Sequence, residues 1–215
     1  VVHVVDRDDA VRAALDPLIR GAGWQPSLAA SAEEFLSRPR SLKAGCLLVD
    51  LHLPGRSGLD LQRAVLERVE MPVIFMAAHA DVPSTVQAMK AGAFEFLTKP
   101  LAGHDLVLTL AAAIESSHVA LRQFNQELAL QQRYESLTHR EREVLRLLIT
   151  GRLNKQVGGE LGISEITVKA HRGKVMRKME ARSFAELISM ASRLFRPHAE
   201  RLSDYLGRGM NATPS

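Results

Sequence analysis

Along the first hundred residues, short unbroken apolar runs alternate with stretches whose apolar positions repeat at helical spacing. Val1–Val5 is a Val-rich run ending at Asp6, the pattern of a buried parallel strand. Val11, Leu15, Leu18 and Ile19 then repeat at helical spacing until Gly21-Ala22-Gly23 stops them. A weaker edge strand falls near Trp24–Ala29. Ser31 and Glu34 have the spacing of a capping box, opening a helix that stops near Pro39. Cys46–Val49 is a second apolar run, again closed by an acid, Asp50. After the loop signals Pro54-Gly55 and Ser57-Gly58, a helix is expected over Leu59–Val69. Pro72–Met76 and Phe94–Leu97 read as strands, with a helix over Val82–Ala91 between them and Thr98-Lys99-Pro100 after them. This alternation predicts an α/β fold: a doubly wound, five-stranded parallel sheet with helices on both faces.

Beyond Pro100 the pattern becomes helical throughout. Asp105–Glu135 contains neither Pro nor Gly and predicts one long helix. Ile114, Leu121 and Leu128 fall seven apart, with Leu110 and Phe124 on a neighbouring track that Ser117 breaks. That spacing fits either a short coiled-coil seam between two chains or a helix packed on its own domain. Four shorter helices follow: His139–Thr150 after a Thr138/Glu141 capping box, Lys155–Leu161, Glu165–Met179 after Ser164, and Phe184–Phe195. Gly162-Ile163 supplies a tight turn between the second and third. Gly158-Gly159 should shorten or distort the second, since each Gly costs roughly 0.8–1 kcal/mol inside a helix. On the third, Ile166, Val168, Val175 and Met179 are expected to face the core. Lys169, His171, Arg172, Lys174, Arg177 and Lys178 occupy the other sides. The expected organisation is a domain over 1–118, a helical linker over 119–136, an all-α four-helix domain over 137–196 and a tail over 197–215, partly disordered.

Charge sharpens this division. Residues 1–134 carry 13 Lys/Arg against 15 Asp/Glu, whereas 135–215 carry 15 against 9. A basic module joined to a mildly acidic one points to nucleic acid as the partner of the second. Composition is ordinary for a globular protein, 46% hydrophobic and 24% charged. Apolar stretches break well before the ~20 residues of a membrane span, and no signal peptide opens the chain. Cys46 is the single cysteine, which excludes an internal disulfide and a zinc cluster of cysteines. The chain therefore reads as soluble and cytoplasmic.

Asp6, Asp50, Ala77 and Lys99 fall at or just beyond strand carboxyl ends, where open α/β sheets bind ligands. A lone acid there is usually a loop solvator or helix cap. Two acids with an ammonium point instead to an oxyanion or metal site. Val-Val-Asp6, Leu-Leu-Val-Asp50-Leu-His-Leu-Pro-Gly-Arg-Ser-Gly58 and Lys-Ala-Gly-Ala-Phe-Glu-Phe-Leu-Thr-Lys99-Pro100 resemble, in order, the motifs of a response-regulator receiver domain, a flavodoxin-like fold. The resemblance implies that Asp50 accepts a phosphoryl group from a histidine kinase and that Lys99 pairs with the phosphoryl oxygens. It also implies a pocket completed by Asp6, Asp8, Asp9 and Phe96, and a Mg²⁺ held by Asp6, Asp50 and the backbone of His52.

Two positions depart from that family. Receivers carry a second, metal-binding acid where this chain has Arg7, and a Ser or Thr where it has Ala77. A fixed guanidinium repels Mg²⁺ and is free to bond Asp50 instead. One expectation is therefore a receiver set by Arg7 and Ala77, or by a protein partner, and little dependent on phosphorylation. The other is that Asp8 or Asp9 turns inward and restores a weak metal site. Asp6-x-Asp8 also resembles the nucleophile motif of Mg²⁺-dependent haloacid-dehalogenase-type phosphatases, but Ala77 and the want of a later acidic pair argue against an enzyme. His52 and His79 have no side-chain partner at a metal-ligand spacing, and Cys46 reads as a small buried strand residue.

Leu-Thr-His-Arg-Glu-Arg-Glu-Val-Leu through Gly151-Arg-Leu-Asn154-Lys155-Gln to Ile-Ser164-Glu-Ile-Thr167-Val-Lys169-Ala-His171-Arg resembles LuxR-type helix-turn-helix domains. With the receiver it makes the chain look like a regulator of the FixJ/NarL type, binding double-stranded DNA as a homodimer with its third helix in the major groove. RNA polymerase is a further partner in that reading. By that resemblance Lys169, Arg172 and Gly173 approach bases, while Ser164, Thr167, His171, Lys174 and Arg177 meet phosphates.

Overall fold

The computed structural model describes residues 1–68, 70–78 and 81–195, which divide into two compact units, Val1–Gln123 and 124–195. The tail expected over 197–215, and His79, lie outside the described residues.

In the first unit, β1 (Val2–Val5), β2 (Pro26–Ala29), β3 (Cys46–Asp50), β4 (Val73–Ala77) and β5 (Glu95–Thr98) form one parallel sheet in the order β2-β1-β3-β4-β5. Val2 pairs with both Pro26 and Cys46, and Ile74 with Glu95. Side chains alternate across the sheet, so β3 sends Leu47 and Val49 to one core and Cys46 and Leu48 to the other. The first core is closed by α2 (Ala32–Ser37), α3 (Gly58–Ala64) and α4 (Val82–Lys90) through Phe35, Leu61 and Ala88. The second is closed by α1 (Asp9–Gly21) and α5 (Gly103–Glu135) through Leu15, Ile19, Leu106 and Leu110.

α3 is shorter than the apolar pattern predicts. After Ala64 the backbone bonds tighten to three-residue turns, Leu66 to Arg63, Arg68 to Val65 and Met71 to Arg68, which satisfy the terminal carbonyls. Val69, the expected end, lies outside the described residues. The heptad track on α5 also resolves. Leu110 and Ile114 belong to the core of the first unit, Leu130 and Tyr134 to that of the second, and Leu128 is exposed.

The second unit holds the end of α5 together with α6 (His139–Leu148), α7 (Asn154–Leu161), α8 (Glu165–Lys178) and α9 (Phe184–Leu194). Thr138 and Glu141 form the expected capping box on α6. Gly162, at φ +65°, makes the left-handed turn into α8, and Ser164 Oγ accepts from Thr167 N to cap that helix. α7 runs unbroken through Gly158 and Gly159. A Cβ on Gly158 would stand 2.7 Å from the Ile163 carbonyl oxygen, so the turn closes over that glycine.

Ile166 corrects the expected core stripe. Val168, Val175 and Met179 are buried, but Ile166 is 80% exposed. At about 100° per residue it lies roughly 200° around the helix from Val168, on the opposite face.

Candidate functional site

Three side chains meet at the carboxyl edge of the sheet. Lys99, just after β5, donates to Asp6 Oδ2 at 2.6 Å and to Asp50 Oδ2 at 2.5 Å. Its own backbone N–H donates to the Ala77 carbonyl at 2.8 Å, which fixes its root against the end of β4. Asp6 is fully buried, and its Oδ1 accepts from the Asp8 N–H at 2.9 Å. Asp50 Oδ1 accepts from the His52 N–H at 2.8 Å, while the His52 side chain is exposed. Burial pushes the Asp50 carboxyl upward, but the bonds from Lys99 and His52 outweigh it and leave it below the usual carboxylate range. For Lys99, burial pulls downward and the bonds to Asp50 and Asp6 prevail, so its ammonium is held above its ordinary value.

The other pocket residues separate from this trio. Arg7 is exposed and, among the described residues, pairs with no carboxylate. The turn that brings Asp8 N–H onto Asp6 carries residue 7 outward, so the expected Arg7–Asp50 bond is corrected: Lys99 supplies the cation. Asp8 caps α1, accepting from Ala10 N at 2.8 Å. Asp9 pairs with Arg12, whose guanidinium also donates to the Asp6 carbonyl. Neither acid therefore faces the pocket. Arg12 was not among the sequence candidates; its i, i+3 spacing from Asp9 was the available signal. Ala77 is buried and offers no hydroxyl, and Phe96 stacks on Phe75 with ring centres 6.3 Å apart.

Magnesium is the cation that receivers use, and two carboxylates with the His52 carbonyl are what this pocket offers it. Both carboxylates are taken by Lys99, and the described residues hold no group of three His, Cys, Asp or Glu placed for a metal. Asp6, Asp50 and the His52 carbonyl are the oxygens that would hold a Mg²⁺ here.

On α8 the basic residues divide by partner. Lys169, Gly173, Lys174 and Arg177 are exposed, with Ser164 at the helix start and Thr167 half-buried beside it. Lys169 is held only by a surface pair with Glu165 at 3.2 Å, which costs little to break. His171 is half-buried, its Nδ1 enclosed and without a hydrogen-bond partner. Arg172 is half-buried with its guanidinium over the Phe184 ring. Lys178 donates to the buried carboxylate of Glu141 at 2.7 Å and to the Ser136 carbonyl, so it secures the fold.

Residues 2–111 match the family described as response regulator receiver domain, and residues 135–191 match bacterial regulatory proteins, luxR family. The chain belongs to the response regulators. It joins a receiver to a LuxR-type DNA-binding domain, the architecture of FixJ/NarL-type transcriptional regulators. Response regulator protein TmoT of Ectopseudomonas mendocina is 41% identical over 90% of this chain and 89% of its own length. Transcriptional regulatory protein FixJ of Azorhizobium caulinodans is 40% identical over 88% of this chain and 90% of its own. The solved structure of response regulator StyR superposes with a TM-score of 0.78 at 40% identity, covering 89% of this chain and 98% of that one. Among the described residues of this response regulator, no helix is long and apolar enough to cross a membrane.

Proposed function

We propose that this response regulator is a non-enzymatic cytoplasmic transcription factor that binds double-stranded DNA as a homodimer and lays α8 in the major groove. The observation that carries this reading is the exposed face of α8, where Lys169, Lys174 and Arg177 stand clear of the fold's buried ion pairs. Lys169 and Gly173 approach base edges. Ser164, Thr167, His171, Lys174 and Arg177 meet phosphates, which position the helix without reading sequence. Arg172, turned onto Phe184, is reassigned from base contact to support of the reading helix. Affinity for a duplex chosen from a random library should fall steeply as salt rises, because bound cations release counterions. Lys169→Ala should relax one base preference, whereas Lys174→Ala should weaken all sequences alike. An affinity independent of salt overturns the reading.

We infer further that the receiver takes an input other than phosphorylation. Asp50 is the one carboxylate of the trio with partial exposure, and it would be the acceptor if a histidine kinase or a small acyl phosphate phosphorylates the chain at all. Arg7 stands in place of a metal-binding acid, Ala77 in place of a hydroxyl, and Lys99 already neutralises both carboxylates. Phosphorylation is therefore slow or absent, and the receiver answers to another input such as a protein partner, with RNA polymerase reached through the DNA-bound form. Incubation with acetyl phosphate and Mg²⁺ should leave the intact mass unchanged. A gain of one phosphoryl group, abolished by Asp50→Asn, overturns this.

A further inference from the structure

Ile166 is the most exposed large apolar side chain among the described residues. A single exposed apolar side chain needs no partner of its own; Ile166 is set apart by its place in the first turn of α8, beside the exposed basic residues of that helix. Ala170, Gly173 and Arg177 follow it by four, seven and eleven residues, which places all four within about 60° of one another around α8. Lys169 and Lys174 flank the stripe. The two middle positions are small. A Cβ added at Gly173 would meet nothing within 4 Å, so this chain's own packing does not require glycine there. A helix-weakening residue with open space in front of it suits the close approach of another surface. The stripe thus has an apolar tip at the start of α8, a low middle and cations around it.

We infer that Ile166 reads a thymine in the operator by packing its side chain on the C5-methyl group. The inference rests on the DNA reading above. The first residues of a recognition helix are those that reach base edges, and the thymine methyl is the apolar feature of the major groove. The low surface at Ala170 and Gly173 lets the helix sink toward the groove floor, bringing Ile166 down with it. The flanking lysines hold that face against an anionic polymer, which favours DNA over an apolar protein surface as the occupant.

The test uses the full chain and a duplex selected from a random library. Each thymine is replaced in turn by deoxyuridine, which removes only the methyl group, and affinity is followed by fluorescence anisotropy at fixed salt. One thymine per half-site should show a loss of about fourfold, the worth of one buried methyl. Ile166→Ala should lose a similar factor on the thymine duplex and nothing further on the deoxyuridine duplex, with an unchanged melting temperature because the side chain packs on nothing in the fold. Equal affinity for thymine and deoxyuridine at every position overturns the assignment. So does a methyl effect that persists undiminished in Ile166→Ala. A chain that selects no sequence and shows no salt dependence overturns the DNA reading itself, a result distinct from a well-defined operator indifferent to the methyl.

Discussion

The guanidinium of Arg172 lies over the ring of Phe184, 4.4 Å from its centre. Phe184 packs against both apolar clusters of the second unit, so this contact ties α8 to the start of α9. A half-buried cation–π pair is worth about 1 kcal/mol. Arg172→Ala should lower the unfolding free energy by about that amount in urea titration, and Phe184→Leu should remove the benefit of Arg172. Base preference in site selection should stay unchanged in Arg172→Lys. A shifted preference would return Arg172 to the bases.

Lys178 and Lys174 are near neighbours on one helix with opposite expected phenotypes. Glu141 is buried; burial raises its carboxyl, but Lys178 and the Thr138 N–H outweigh this and hold it below the ordinary range. Lys178→Ala leaves that carboxylate without its cation and should cost about 3 kcal/mol. Lys174 is exposed, so Lys174→Ala should change stability by less than about 0.5 kcal/mol. Its salt slope for DNA binding should drop by about one. Equilibrium unfolding and anisotropy on the two variants separate the roles.

The sequence was most legible where a local rule had no competitor. Apolar strand runs, two of them closed by acids, laid out the sheet and placed Asp6, Asp50 and Lys99 at one edge, because parallel strands packed on both faces leave their ends for chemistry. Caps at Ser31, Thr138 and Ser164 were readable because side-chain oxygen and backbone N–H are fixed in spacing. Ile166 was misread because an apolar residue within two positions of Val168 looks like core until the helical angle is counted. Arg7 was misread because charge type was visible but the turn at Asp8, which carries residue 7 outward, was not. Lys178 and Arg172 looked like their exposed neighbours because their partners, Glu141 and Phe184, come from other helices. On α5 the leucines served two separate cores, a division that no single period expresses.

Lys99 is the only group that holds Asp6 and Asp50 together among the described residues. Lys99→Ala should destabilise by about 3 kcal/mol or more, since two carboxylates with little solvent then face each other. Adding Asp50→Asn should recover part of the loss, which a double-mutant cycle measures directly. Asp50 is held below its ordinary 3.8 and Lys99 above its ordinary 10.5. The clamp therefore contributes fully between those values. It is lost as pH falls through the lowered Asp50 value or rises through the raised Lys99 value. A cycle whose coupling energy is near zero at pH 7 would contradict the clamp.

His3 gives the first unit a different acid response. It lies on β1 with its ring edge-on to Phe35, and its Nδ1 is buried without a hydrogen-bond partner. Burial is the main cause that pushes its pKa down from 6.5 to about 4, helped by the Val1 ammonium, Arg38 and Arg68. Between those two values the unfolded chain binds more protons than the folded one, so stability rises with pH across the window and falls as pH drops. Asp50 and Glu141, held low, add their own losses only beneath the carboxylate range, while the Val1 ammonium, lowered from 8.0 chiefly by burial, adds a slope of the same sign from higher pH. The urea midpoint of the receiver transition should fall steadily over that window. His3→Gln keeps a neutral polar side chain of similar size and should make the profile shallower there. An unchanged slope in that variant would place the proton uptake elsewhere.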